Sequence, residues 1–156
     1  MSSSKRAGFE LPLLLVGAFR SLIDELHRWL TQSGHGEARP LHGFALQAIG
    51  PGGSTVSELG RRLAVSKQAA AKTVASLERL GYVSREPDPA DGRAVRLLRT
   101  ARGEEMLALS ATFFDAYHTR LAQALGPRRL ADLEDDLEQI AAPSGDYLRG
   151  FPGWMA

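Results

Sequence analysis

The sequence contains no cysteine. That absence excludes a disulfide framework, thiolate metal sites, a cysteine nucleophile and thiol-based redox sensing. It also lacks the span of about 20 apolar residues that a membrane helix requires, so no membrane partner is expected. Charge of one sign is lacking as well: 19 basic against 18 acidic residues leave a formal +1, which alone does not suggest a polyanionic partner. No internal repeat, low-complexity tract, phosphate-binding loop or nucleophile motif is present. His27, His35, His42 and His118 are scattered without metal-ligand spacing, so neither a metal nor a cofactor is expected. What remains is 156 residues with 44% hydrophobic and 24% charged content, the size and composition of one globular unit. Near the N-terminus, Lys5 and Arg6 precede the apolar run Leu11 to Phe19, which has the look of a signal peptide. Pro12 interrupts that run, Glu10 and Arg20 flank it, and its spacing continues through Leu22, Leu26 and Trp29. It therefore reads as an amphipathic helix, and a cytoplasmic location is expected.

The near-neutral total conceals an uneven distribution. Between Ser54 and Arg102 there are ten basic residues against five acidic ones, a local +5, whereas the remainder carries nine basic and thirteen acidic residues, or −4. A basic module set in an acidic frame is the footprint expected of a segment that meets phosphate. Chance scatter on solvated faces is the alternative, and position must decide between them.

The chain reads as a succession of helices interrupted by one hairpin. Residues 9 to 32 form a long helix with apolar lines Leu15, Phe19, Leu22, Leu26, Trp29 and Val16, Ile23, Leu30. Pro40 starts a shorter helix to about Ile49, with Phe44, Ala45 and Ile49 inward, and Gly50, Pro51, Gly52 and Gly53 stop it. Thr55 and Glu58 form a capping box that opens a third helix to about Leu63. Ser66 caps a fourth, with Ala70, Val74 and Leu77 inward, closed by Gly81. The period then changes. Tyr82 to Glu86 and Ala94 to Arg99 read as two strands around a long polar tip from Pro87 to Gly92. Thr100 caps a helix over about 101–125, lined by Met106, Phe113, Tyr117, Leu121 and Ala124. Leu130, Leu133, Leu137 and Ile140 line a last helix, and a tail follows in which Tyr147, Phe151 and Trp154 are expected to pack.

Two short helices joined by a tight turn and followed by a β-hairpin are in the order of a winged helix-turn-helix. A plain helical hairpin in a bundle would fit the helices but leave the basic hairpin unexplained. The residues go further. Val65-Ser66-Lys67-Gln68, the run Leu77-Glu78-Arg79-Leu80-Gly81-Tyr82-Val83-Ser84-Arg85, Asp88-Pro89-Ala90-Asp91-Gly92-Arg93 and Thr100-Ala101-Arg102-Gly103 together resemble the MarR-type transcriptional regulators. By motif the resemblance spans about Ser57 to Gly103, and by helix order the whole chain. It implies a mainly α fold with a small β-hairpin wing: a winged helix-turn-helix lobe over 40–103 on a helical dimerisation frame of 9–32 and 104–156. It further implies a homodimer that binds double-stranded DNA at a pseudo-palindromic operator, usually as a repressor, and often releases it when a small molecule binds. Two positions depart from the pattern. Ala64 stands where glycine is common at the turn, and Arg99 stands where leucine usually precedes the threonine, which admits an altered strand register.

Physical reasoning assigns roles within that frame. The N-terminal side chains of a helix entering the major groove reach base edges, which points to Lys67, Gln68, Ala71 and Lys72. The Gln68 amide suits bidentate pairing with adenine, and Lys72 suits guanine or phosphate. Ser66 and Thr73 are expected to contact phosphate or to serve as cap and packing. At the wing, Asp91 is expected to orient Arg93 on a tip that Gly92 lets turn sharply, and an extended arginine there suits a narrow minor groove. An ordinary surface ion pair is the alternative. By resemblance, a small aromatic effector is sought near Trp29, His42, Phe44 and Tyr117, residues that could equally be plain core. The acidic run Asp132, Glu134, Asp135, Asp136 and Glu138 reads as a solvated face. Rival functions are a winged-helix protein-interaction module without DNA binding and, with no motif to carry it, a small hydrolase.

Overall fold

The computed structural model describes residues 6–141, and among them the chain forms six helices and one two-stranded antiparallel hairpin. The order is α1 (Glu10–Gln32), α2 (Pro40–Ile49), α3 (Val56–Leu63), α4 (Lys67–Arg79), β1 (Val83–Asp88), β2 (Asp91–Arg99), α5 (Ala101–Leu125) and α6 (Pro127–Ile140). The aromatic tail residues Tyr147, Phe151 and Trp154 lie outside the described residues.

Local capping sets three of the helix starts. Thr55 Oγ1 accepts from the Glu58 backbone N–H at 3.2 Å while the Thr55 N–H donates to Glu58 Oε2 at 2.8 Å, the reciprocal box expected before α3. Ser66 Oγ accepts from the Ala69 N–H at 3.1 Å, and Thr100 Oγ1 accepts from the Gly103 N–H at 3.1 Å. Between α3 and α4, Ala64 adopts left-handed backbone angles, φ 53° and ψ 43°. The two helices then meet closely at Gly60, where a Cβ atom would stand 3.2 Å from the Val65 carbonyl oxygen and 3.6 Å from Ala70 Cβ.

The wing differs from expectation at its tip. β1 continues to Asp88 and β2 begins at Asp91, so the long polar tip contracts to a turn at Pro89 and Ala90. Asp88 Oδ1 accepts the Ala90 N–H at 2.9 Å and Asp91 Oδ1 accepts the Arg93 N–H at 3.0 Å, so carboxylates replace backbone carbonyls in closing the turn. Gly92 lies inside β2 without a positive φ, and the sharp turn does not depend on it. Pairing is regular from Val83 opposite Arg99 to Pro87 opposite Val95, and the shift is confined to the step from Pro87 to Asp88. Arg99 thus causes no change of register.

A third rung was not legible in the sequence. Ser54 and Leu97 exchange backbone hydrogen bonds of 3.1 and 2.7 Å, which ties the segment before α3 to the wing. Gly53, at φ +77°, permits this approach, since a Cβ there would lie 2.4 Å from the Leu97 carbonyl oxygen. Its glycine serves the sheet as well as the end of α2.

The core gathers Leu46, Ile49, Leu59, Leu63, Val74, Leu77, Tyr82 and Leu97, with Ile23, Leu26 and Leu30 of α1 and Met106 of α5 packed against them. These contacts fix the lobe on the long helices. Trp29 Nε1 donates to the Leu109 carbonyl at 3.1 Å, and Arg120 pairs with Glu25 at 2.5 Å, joining α1 to α5. Of the expected inner line of α5 only Met106 is buried: Phe113, Tyr117 and Leu121 are half-buried and Ala124 is exposed. On α6 Leu130 is buried, whereas Leu133, Leu137 and Ile140 are exposed. Among the described residues no helix is long and apolar enough to cross a membrane.

Candidate nucleic-acid interface

Helix α4 turns Ala70, Val74 and Leu77 to the core and leaves Lys67, Gln68, Ala69 and Lys72 exposed, with Ala71 and Thr73 half-buried beside them. Two hydroxyls have partners within the helix. Ser66 caps it, and Thr73 Oγ1 donates to the Ala69 carbonyl at 3.2 Å, which commits the Thr73 hydroxyl proton. At the wing end Asp91 and Arg93 are both exposed. The expected pairing of Asp91 with the Arg93 guanidinium is absent. The carboxylate takes the Arg93 backbone N–H instead, because an acceptor two residues upstream closes a turn more readily than it reaches the end of a long side chain.

The basic residues fall into two groups that the sequence does not separate. Arg62 donates to the Ala48 carbonyl at 2.6 Å, Arg99 to the Leu46 carbonyl at 2.8 Å, Arg96 to the Gly52 carbonyl at 2.9 Å, and Arg102 to the Leu80 and Gly34 carbonyls at 3.2 and 3.0 Å. Arg79 pairs with Glu37 at 3.4 Å and Arg85 with Glu78 at 2.8 Å. Six of the ten cations between residues 54 and 102 therefore have partners within the chain, main-chain carbonyls for four and surface carboxylates for Arg79 and Arg85. Arg62 and Arg99 meet carbonyls in the last turn of α2, where a cation also complements the helix dipole, and the Leu46 carbonyl accepts the Gly50 N–H as well. The other four, Arg61, Lys67, Lys72 and Arg93, form no ion pair or side-chain hydrogen bond among the described residues. Their charge is available to solvent. Three of them are residues singled out in the sequence; Arg61, exposed on α3, is not. No local signal distinguishes it from Arg62, its engaged neighbour.

The four aromatic positions considered for an effector do not converge. Phe44 lines an apolar cavity of about 90 Å³ between α1, α2 and α5, with Ile23, Leu26, His27, Arg39, Met106 and Phe114 among its other walls. Trp29 and Tyr117 line a separate open hollow between α1 and α5. His42 lines neither. Residues two apart on a helix are about 200° apart around its axis, so Phe44 and His42 face opposite sides of α2. The His42 ring instead points to α4, where Nε2 lies 3.0 Å from Ser76 Oγ, and Nδ1 accepts the Arg39 backbone N–H at 3.1 Å. The donor on Nδ1's side fixes the tautomer: neutral, with the proton on Nε2.

Three histidines have pKa values lowered below 6.5, in each case first by burial. Asp24 opposes the shift at His27; Arg102 adds to it at His35, where Glu105 opposes; Arg39, Arg79 and His27 add to it at His42. His35 is enclosed against Tyr82, its Nδ1 being 2.9 Å from the phenol oxygen. His27 Nε2 is buried without a hydrogen-bond partner beside the apolar cavity. Among the described residues no group of three or more His, Asp or Glu side chains is placed to hold a metal ion.

Comparisons with known proteins agree with this geometry. The sequence profile of the MarR family matches residues 40–94. The transcriptional regulator Tm0710 from Thermotoga maritima is similar in structure at 27% identity and a TM-score of 0.57, covering 84% of this chain and 91% of that one. FabT of Streptococcus pneumoniae, solved in complex with DNA, aligns at 21% identity and a TM-score of 0.66 over 86% of this chain and 100% of that one. CouR from Rhodococcus jostii RHA1, solved with p-coumaroyl-CoA, aligns at 20% identity and a TM-score of 0.64 over 90% and 97% of the two chains. No protein of curated function matches the chain in sequence. Residues 40–94 are thus a MarR-family segment, carried in the fold of the MarR-type winged helix-turn-helix transcriptional regulators.

Proposed function

We propose that this protein is a sequence-specific DNA-binding repressor that acts as a homodimer on a pseudo-palindromic operator. The observation that carries the reading is the separation of its cations. In a lobe where six arginines have partners within the chain, the free charges Lys67, Lys72 and Arg93 stand on the exposed side of α4 and on the wing. Those are the two elements a winged helix-turn-helix lays against a duplex. Gln68 is the base reader of the major-groove set Ser66, Lys67, Gln68, Ala71, Lys72 and Thr73. Arg93 enters the minor groove beside the turn that Asp91 closes, and Arg61 adds a phosphate contact. FabT, which has the same fold, was solved with DNA bound.

The frame of 9–32 and 104–156 supplies the dimer contact. Leu11, Leu14, Leu15, Val16 and Phe19 on α1 and Leu133, Leu137 and Ile140 on α6 are exposed in one chain, and apolar surface on that scale favours association. A small aromatic ligand is the releasing signal, with the cavity behind Phe44 as its site. At about 90 Å³ that cavity is tighter than the roughly 150 Å³ that admits benzene in an engineered core, so a ring enters only when one of the walls on α1, α2 or α5 gives way.

Selection of bound duplexes from a random DNA pool tests the function. A recovered motif with two-fold symmetry and a dimer by sedimentation at micromolar concentration are the expected results; no enrichment over the starting pool, or a tight monomer, overturns the reading.

A further inference from the structure

We propose that His42 is a positioning residue for the recognition helix: its neutral imidazole clasps the start of α2 to Ser76 on α4, and adding a proton opens the clasp and weakens DNA binding. The inference rests on the DNA-binding reading above. Its geometry is a relay of two hydrogen bonds through one ring. The Arg39 N–H donates to Nδ1 at 3.1 Å, and Nε2–H donates to Ser76 Oγ at 3.0 Å. Ser76 lies on the same helix as Lys67, Gln68 and Lys72. The His42 side chain is buried between an exposed Arg39 and a half-buried Ser76.

A second proton can go only to Nδ1, which then turns from acceptor to donor and faces the Arg39 N–H. The helix start loses its acceptor, and a cation is placed at a helix N-terminus, where the dipole disfavours it. Neighbours on three sides of the ring oppose that charge. His27 approaches from α1, Arg39 from the loop before α2 and Arg79 from α4, each lowering the His42 pKa after burial itself. The Tyr82 ring, leading into β1, stands 6.5 Å away, centroid to centroid. Among the described residues, the carboxylates near these groups are Glu37, held by Arg79 at 3.4 Å, and Asp24, which acts on His27. The charged ring still carries Nε2–H, so the proton breaks the clasp at Arg39, and the ring escapes the facing N–H only by turning, which carries Nε2 away from Ser76 on α4. The opposite face of α2 contributes Pro40, Gly43 and Phe44 to the apolar cavity, so a ligand that displaces α2 strains the same clasp.

The sign of the effect separates it from bulk electrostatics. Acid makes the protein more positive, which by itself strengthens binding to a polyanion; the clasp predicts weakening. The test uses a duplex selected by the wild-type protein at about pH 8, with affinity measured at constant salt from about pH 8 down to the lowest pH at which circular dichroism shows the chain folded. The wild type should weaken about fivefold on acidification while still folded, the worth of one hydrogen bond. His42→Gln keeps an acceptor for the Arg39 N–H but does not titrate, so its affinity should be flat or rise. Ser76→Ala leaves the cap and removes the cross-helix bond; it should be about fivefold weaker at pH 8 and lose little more in acid. If His42→Gln retains the wild-type acid loss, or if the wild type does not weaken, the clasp is wrong while DNA binding stands. If His42→Gln does not fold, Ser76→Ala decides alone, and a wild-type pH profile in it overturns the proposal. Failure to select any duplex defeats the functional reading itself, and the clasp with it.

Discussion

The helix-turn-helix lobe and the long helices differ in how far one chain satisfies them. In the lobe Leu46, Ile49, Leu59, Val74, Leu77 and Leu97 are wholly buried, and six arginines meet carbonyls or carboxylates of the same chain. On α1 every side chain from 11 to 20 is exposed, with Leu13 at 65%, and Ile140 on α6 is at 69%. Apolar surface left in water raises the free energy in proportion to its area. The difference teaches that the lobe is a finished unit whose few free groups are chemical, whereas the long helices carry apolar groups that one chain does not cover.

The largest expected effect tests the finished side. Leu46→Ala should cost about 2–5 kcal/mol of stability, because a wholly buried leucine leaves a cavity, and the loss should be the same at every protein concentration in denaturant titrations. Leu13→Ala should cost under about 0.5 kcal/mol in the single chain and should instead weaken association, read by sedimentation. Equal, concentration-independent losses at both positions would remove the distinction between the regions.

Next are the engaged and the free arginines. Arg99→Ala strips a half-enclosed guanidinium from the carbonyl at the end of α2, which should lower stability by about 1–3 kcal/mol and leave the salt dependence of DNA affinity unchanged. Arg93→Ala should do the reverse, with stability within about 0.5 kcal/mol and the slope of log affinity against log salt smaller by about one to two units. Gln68→Ala should leave the slope alone and lose roughly 1–3 kcal/mol of discrimination at one position per half-site. An unchanged slope in Arg93→Ala means the wing does not touch DNA.

Acid should act on the seam between the two regions. His27, His35 and His42 have folded pKa values below 6.5, so below that pH the unfolded chain binds protons that the folded chain refuses. Stability therefore rises with pH through this window and is lost as pH falls from about 6.5 toward the folded values. Glu58, whose pKa is lowered first by the hydrogen bond from the Thr55 N–H, adds a separate loss once pH falls below 4.5, its unperturbed value. A denaturation midpoint that is flat between about pH 7 and 5 would show that these rings are not held neutral. Smallest of all, Ala64→Gly should stabilise the lobe by about 0.5–1 kcal/mol by relieving the left-handed residue, measured by chemical denaturation; no gain would locate the tolerance of Ala64 in compensating contacts.

What the sequence by itself determined is local. The capping oxygens of Thr55, Ser66 and Thr100 lie three residues from the N–H groups they serve, and the apolar spacing of α4 names its inner face in advance. The motifs from Val65 to Gly103 carried the family resemblance because they record these short-range requirements together. Only the tertiary structure decided which cations are free and which way His42 faces. Arg99 meets Leu46 from 53 residues away and Arg102 meets Gly34 from 68, so no window of sequence distinguishes them from Arg93. The turn at Pro89 and Ala90 belongs to the same class, since its length follows from how far β1 and β2 pair. A guanidinium or imidazole on a flexible or two-sided element has several partners within reach, and its choice depends on backbone groups that packing brings from distant parts of the chain.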